Sequence, residues 1–461
     1  MFAVILLLQA LSLRFSTPSE ESIPTPNRPK LLQIFLLSRH GDRSPIHILP
    51  KDPYREHWVQ GYGQLTTYGA EQHKALGKFI RTSYSTFISP TFHKDEAFFR
   101  SSGTDRTLMS ANSFIRGLYP QQLSNIPPPV YSIPIKYDHL LKMSSDCPKF
   151  HKMYLELMNS KEVSRSIEAF EETINVLRKE YAELFPTDSN PANRIRVSWK
   201  ICDALSIWAA HQLSSRPSWL TDKVVEQCDR MLDFKHRIRF SNPSLTRFRG
   251  GPLIAHVLHL ARTRANLEQR TASGGRSPLV PPFISDLVEN ITFRQQLVAY
   301  FAHDSTLAAV MSHLKIFNGR KPPLASCLII ELHQAAKPIS SDIADDEEFF
   351  IRFLYRNETE PTDTRIHSVW PAACGPFSAA IHSDYLCSLK RLESSLVSTY
   401  SIDMVSECGA HTKQLLLNVS EDCYYPQLGF LFLLQFGFLI YAIRRVGNPV
   451  GFLSTILFLF R

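Results

Sequence analysis

The chain has 461 residues, 44% hydrophobic and 20% charged, with a formal net charge of +8. That balance excludes a disordered protein and leaves room for one large domain or two ordinary ones. The basic residues are scattered without a Lys/Arg run, so nucleic acid is not an expected partner, and the excess is compatible with acidic small substrates or an anionic membrane surface.

The first residues, MFAVILLLQALSLRFS, are an apolar stretch too short for a comfortable membrane span, and residues 1–18 read as a secretory signal peptide. After a Pro/Ser-rich lead, LLQIFLLS is a continuous apolar run without alternation, which predicts a buried strand. Helical spacing follows from Thr67 to Tyr84. AFFRSS reads as a second short strand, and DRTLMSANSFIRGLY as a helix with an acidic N-terminus. Strand, polar turn and helix, repeated, are the rhythm of an α/β domain with a mostly parallel sheet.

From about 148 to 232 the pattern turns to long helical stretches such as FEETINVLRKEYAELF, expected to form an inserted helical lobe. The α/β pattern returns with a helix at Pro252–Ala261 and then QLVAYFAHDSTLAAVMSHL, a strand running into a helix. Between them Arg262 to Pro282, basic and rich in Gly, Ser and Pro, reads as a long exposed loop. Near the C-terminus LGFLFLLQFGFLIYAI is almost free of polar groups and is followed by Arg444 and Arg445. Residues 424–445 are thus expected to be a transmembrane segment with the arginines cytoplasmic. The apolar tail 446–461 is open to several readings: a second insertion, a cleaved anchor signal, or an atypical end.

Eight cysteines, none in a CxxC or zinc-type spacing, argue for disulfides in an oxidising compartment. Three acceptor tripeptides, at Asn290, Asn357 and Asn418, agree with a secreted glycoprotein. No carboxylate/His cluster has ligand spacing, so neither a metal nor another cofactor is expected.

Three chemically loaded segments share one place in this rhythm, just past the end of a strand: Arg39-His40-Gly41-Asp42-Arg43, Asp105-Arg106 and His303-Asp304. In open α/β sheets ligands bind at that edge, where helix N-termini also point. Converged there, Arg39, Arg43, Arg106 and two histidines would hold an oxyanion, and guanidinium forks suit phosphate. The cations would also lower the His40 pKa and keep a nucleophilic nitrogen free. Asp304 would protonate the leaving alkoxide, favouring activity below neutral pH. Asp42 is left outside the site as a neutralising or capping acid, and His47, His57 and His73 are expected to pack.

The stretches LLSRHGDRSP, QGYGQLTTYGAEQH, RSSGTDRTLMSA and AYFAHDST resemble the histidine acid phosphatases (histidine phosphatase clan, branch 2), in their prostatic and lysosomal branch. The resemblance runs from about Leu32 to Cys408 and implies one phosphatase domain over 30–410, an α/β/α sandwich with a smaller helical lobe. It implies His40 as nucleophile, forming a phosphohistidine, and Asp304 as proton donor. Arg39, Arg43, Arg106 and His303 would bind the phosphate of small monoesters or phosphopeptides. It further implies the disulfides Cys147–Cys408 and Cys202–Cys327. A third bridge in the family joins closely spaced cysteines, whereas the candidates here, Cys374 and Cys387, stand further apart. Cys228 and Cys423 receive no partner. The whole implies a type I membrane protein, lysosomal or at the cell surface, with release by proteolysis and homodimerisation left open. An inositol-polyphosphate phosphatase using the same pocket, a mutase, and a non-catalytic membrane glycoprotein binding anionic ligands are the competing readings. The secretory features count against a cytosolic mutase.

Overall fold

The apolar run before the Arg-His-Gly segment is strand β1 (Lys30–Arg39), buried along nearly its whole length. The computed structural model describes residues 29–121, 126–142, 147–187, 190–213, 216–272, 295–335, 348–376 and 385–396. The other strands are β2 (Ala97–Ser102), β3 (Tyr131–Ile133), β4 (Leu297–Ala302), β5 (Cys327–Gln334), β6 (Phe349–Arg356), β7 (His367–Val369) and the short β8 (Cys387–Ser388). Among the described residues they form one sheet in the order β3-β2-β4-β1-β5-β6-β7, with β8 also on β6. β1, β2, β3 and β4 run parallel, β5 returns antiparallel, and β6 points again with β1. The sheet is therefore mixed, with five strands sharing a direction.

Helices cover both faces. On one lie α1 (Thr67–Ser83) and α2 (Asp105–Leu118), whose Leu76, Ile80, Phe114 and Ile115 bury against Ile34, Leu36, Phe99 and Phe301 of the sheet. The two helices cross almost backbone to backbone. A β-carbon on Gly77 would stand 2.0 Å from the Phe114 carbonyl oxygen, and one on Gly117 would stand 1.9 Å from that of Lys74. On the opposite face α8 (Pro243–Ala272), α9 (Asp304–His313) and α10 (Leu389–Ser395) pack Leu253, Val257, Leu307 and Leu392 onto Phe35, Leu37, Val298 and Phe353. Removing an aromatic or branched side chain from water stabilises by about 1.5–3 kcal/mol, so both faces carry the fold.

Between β3 and β4 the chain makes α3 (Pro148–Met158), α4 (Lys161–Glu168), α5 (Glu171–Glu180), α6 (Pro191–Ala210) and α7 (Asp222–Phe240) before α8. Among the described residues, 29–142 and 150–396 belong to one compact unit. Helix continues well past 232. Arg262–Ala272, expected as loop, is the last third of α8, because Ala265 is buried, Arg264 pairs with Glu268 one turn on at 2.7 Å, and Arg262 reaches Glu393 at 3.1 Å. Tertiary partners outweigh the loop-like composition there.

The disulfides correct one expectation. Cys202 bonds Cys228, across the packed helices α6 and α7 with Cα atoms 4.9 Å apart, and not Cys327. Cys327 is a free thiol buried at the start of β5. Cys374 joins Cys387, which settles the wider spacing between them. Cys147 is disulfide-bonded, while Cys408 and Cys423 lie outside the described residues. So do the signal segment 1–18, Asn290, Asn418, 424–445 and 446–461. Asn357 is half-buried just past β6. Among the described residues no helix is long and apolar enough to cross a membrane.

Candidate active site

Register brings the three segments together. Arg39 pairs with Ala302 across β1 and β4, and Ser101 pairs with Phe301 across β2 and β4, so the three strands end side by side. His40 follows the first, Arg106 begins the helix after the second, and His303-Asp304 follows the third. The first turns of α2 and α9 open onto the same edge, adding the partial positive charge of their free amides.

Each side chain is held by its surroundings. His40 Nδ1 lies 2.8 Å from the Gly41 carbonyl oxygen. A carbonyl only accepts, so Nδ1 bears the hydrogen and Nε2 keeps its lone pair free. The neighbouring glycine has a structural reason: a β-carbon on Gly41 would stand 2.2 Å from the Gly69 carbonyl oxygen at the start of α1. It is thus a helix, rather than a substrate, that needs the bare backbone there. Gly41 N–H donates to Ser110 of α2 at 3.1 Å, and His73 of α1 sits 2.9 Å from the Arg39 carbonyl.

The arginines reach the site with part of their donors committed. Arg39 Nη1 donates to the Pro322 carbonyl at 2.7 Å, and its Nη2 lies 3.5 Å from Asp304 Oδ2. Arg43 Nη2 donates to Asp203 Oδ1 on α6 at 2.8 Å. Arg106 places Nη2 3.4 Å from Nδ1 of His303, whose Nε2 is 3.0 Å from the Ser102 hydroxyl. That hydroxyl can serve either role, so the His303 ring can accept from Arg106 or donate to an oxyanion. The two histidine rings stand edge to face, 5.7 Å between centroids.

Burial comes first among the causes that hold the His40 pKa well below its ordinary value, followed by Arg39, Arg106 and Arg43. The cations expected from the sequence do act, but desolvation leads. His303 is lowered likewise by burial, Lys142 and Arg106. For Asp304 burial would raise the pKa, yet Arg39 and the neighbouring His236 outweigh it and hold the carboxyl well below the usual range. The unliganded site therefore presents a neutral imidazole, an ionised carboxylate and a ring of cations.

Sequence reasoning missed a second group. Asp203 holds Arg43 and also meets Lys321 Nζ at 3.8 Å; His236 Nε2 of α7 lies 3.8 Å from Asp304 Oδ1. Their charges, with those of Lys142 and Lys235, act on the same few ångströms. One trace was visible: Asp203 interrupts the apolar ICDALSIWAA. Nothing local marks His236. Asp42 lies outside the pocket contacts, accepting from Thr66 at 2.6 Å and standing 2.8 Å from His211 Nε2 at the end of α6. His57 stands edge to face with Trp58, yet both it and His47 are exposed, so neither packs into the interior as expected, whereas His73 does.

A family model described as the histidine phosphatase superfamily (branch 2) matches residues 30–356. Human lysosomal acid phosphatase is 31% identical, covering 73% of this chain and 73% of its own length. Prostatic acid phosphatase of Bos taurus is 30% identical, covering 81% of this chain and 87% of its own. The phytase of Citrobacter braakii superposes with a TM-score of 0.58 at 16% identity, over 82% of this chain and 99% of that one, a likeness of fold.

Proposed function

The chain belongs to branch 2 of the histidine phosphatase superfamily and is an acid phosphatase, and from that premise we propose that His40 is its nucleophile and Asp304 its proton donor. Arg39, Arg43, Arg106 and His303 bind the phosphate. The observation that carries these roles is the register of β1 with β4, which ends His40 and His303-Asp304 on adjacent strands with Arg39 between nucleophile and acid. His40 Nε2 attacks phosphorus as Asp304 protonates the departing oxygen. Water then cleaves the phosphohistidine, with Asp304 taking its proton. Acid-quench trapping tests this: wild type should retain acid-labile phosphate that His40→Ala lacks. Turnover of p-nitrophenyl phosphate by His40→Ala at the wild-type rate would overturn it.

A second reading concerns the substrate. Three arginines suffice for one phosphate, yet Lys142, Lys235 and Lys321 add positive charge nearby, and burial lowers each ammonium pKa, that of Lys321 to about 8. Such an excess favours substrates with several phosphates, inositol polyphosphates among them. The test is the ratio of kcat/KM for inositol hexakisphosphate to that for p-nitrophenyl phosphate. Lys321→Met should lower the ratio; an unchanged ratio counts against this reading.

For placement, the signal-like 1–18, the span-length 424–445 and relatives named lysosomal and prostatic support a secretory, membrane-anchored protein acting on phosphate monoesters or phosphopeptides. Glycosidase-sensitive mass and detergent-dependent extraction from membranes would test it.

A further inference from the structure

Asp304 is cast as an acid, yet it is ionised in the free site. Its contacts among the described residues are few. The Ser305 amide donates to Oδ1 at 2.6 Å, Arg39 Nη2 faces Oδ2 at 3.5 Å, and His236 Nε2 faces Oδ1 at 3.8 Å. An amide does not release its proton, and a guanidinium does not at any relevant pH. Of the three, the imidazole is the contact that can carry a transferable proton on the atom facing the carboxylate.

The ring is also aimed. His236 is buried in α7, and its Nδ1 lies 2.8 Å from the Leu232 carbonyl one turn back. The carbonyl fixes the hydrogen on Nδ1, so Nε2 is the nitrogen that gains or loses the working proton. Closing 3.8 Å to hydrogen-bond length needs a shift of about 1 Å, of the kind catalytic contacts make when substrate binds.

We infer that His236 is a positioning residue that stores the proton for Asp304 and acts on the reaction only through it. As phosphate binds, the imidazolium passes its Nε2 proton to Asp304 Oδ1. Asp304 gives a proton to the leaving oxygen as the P–O bond breaks and the His40 Nε2–P bond forms. In the second half, Asp304 takes a proton from the attacking water and His236 Nε2 receives it. Each cycle returns both groups to their starting charge. The helical lobe thereby takes part in the chemistry through a residue outside the four stretches that carry the family resemblance.

The inference rests on the acid role of Asp304, and its test keeps the two separable. His236→Gln retains a polar group of similar reach that cannot ionise. Its kcat/KM for alkyl phosphates, whose leaving groups need a proton, should fall about 10- to 100-fold. The loss for p-nitrophenyl phosphate should be at least about tenfold smaller, on the scale of that same protonation effect. Inhibition by inorganic phosphate reports on an intact pocket in the same preparation. In His236→Ala, added imidazole should recover alkyl phosphate turnover. Equal losses for both substrates, or an unaffected alkyl rate, would overturn the proton store. Asp304→Ala reads the acid role separately: it should lose alkyl phosphate turnover far more than p-nitrophenyl phosphate turnover whatever His236→Gln does, so the proton store can fail while the acid role stands.

Discussion

Arg39 Nη2 stands 3.5 Å from Oδ2 of Asp304, so the guanidinium proposed to bind the phosphate also holds the proposed proton donor ionised. Substrate and Asp304 compete for one guanidinium. When phosphate oxygens take up the Arg39 charge, the carboxylate loses its largest stabiliser and gains a negative neighbour, and both effects raise its pKa. The acid is thus armed by binding.

The first prediction is that the Asp304 carboxyl titrates at least about one pH unit higher with inorganic phosphate or vanadate bound than without. Carbon-13 NMR of labelled aspartate, referenced to Asp304→Asn, measures it. An unchanged or lower titration would show that Arg39 does not couple the two.

The second concerns His40. With its pKa held well below 6.5 by burial and then by Arg39, Arg106 and Arg43, the imidazole stays neutral as pH falls through 6.5. Accordingly kcat/KM should show no loss as pH falls through 6.5, because the free imidazole does not protonate there. A free-enzyme group of pKa near 6.5 that abolishes activity when protonated, and that coincides with titration of the His40 ring in NMR, would contradict this.

Much of this site was legible because strand-end chemistry is local. The apolar run before Arg39, the AFFRSS strand before Arg106 and LVAYFA before His303 each announce a buried strand, and parallel topology does the rest. Asp203, His236 and Lys321 were not legible, because helices α6 and α7 and the loop before β5 meet only in three dimensions. The disulfide partner of Cys202 was missed for the same reason: the packing of α6 on α7 has no signature in spacing. Arg262–Ala272 was misread because Ser, Gly and Pro beyond it dominated the composition, while its own helix is secured by distant Glu393.

Asp203→Asn should separate stability from binding. The substitution removes the carboxylate that Arg43 meets at 2.8 Å and Lys321 at 3.8 Å, leaving buried cations uncompensated. Breaking such a pair costs about 3–5 kcal/mol. The freed Arg43 should bind inorganic phosphate more tightly, about fivefold, since Asp203 no longer offsets its charge. Denaturation and phosphate inhibition constants read the two effects. Weaker phosphate binding in a folded variant would mean that Asp203 orients Arg43 more than it neutralises it.

The crossing of α1 and α2 predicts a sign opposite to helix propensity. Gly→Ala inside a helix ordinarily gains roughly 0.5–1 kcal/mol. At Gly77 the new methyl would meet the Phe114 carbonyl oxygen at 2.0 Å, an impossible contact, so the helices must separate. Overpacking of this kind costs about 1–3 kcal/mol or more, which outweighs the gain. Gly77→Ala should therefore lower Tm. A stabilised variant would show that the helices are not so closely apposed.

The last prediction is a stability that falls in acid because of His73. This ring is fully buried on α1, with Nε2 2.9 Å from the Arg39 carbonyl, and burial lowers its pKa from 6.5 to about 4. In the unfolded chain it protonates below about 6.5, while in the native state it stays neutral down to about 4. Between these values the unfolded state binds more protons, so stability rises with pH and is lost as pH falls through that window. The full effect is roughly 3 kcal/mol. His73→Gln can still donate to the Arg39 carbonyl but cannot titrate, so its Tm should depend less steeply on pH between 6.5 and about 4 than that of wild type. The variant starts less stable at neutral pH, having lost ring packing against Phe301, and the two curves should converge toward acid. Parallel curves across the window would assign the acid sensitivity to other buried groups, the His256–Tyr300 pair first among them.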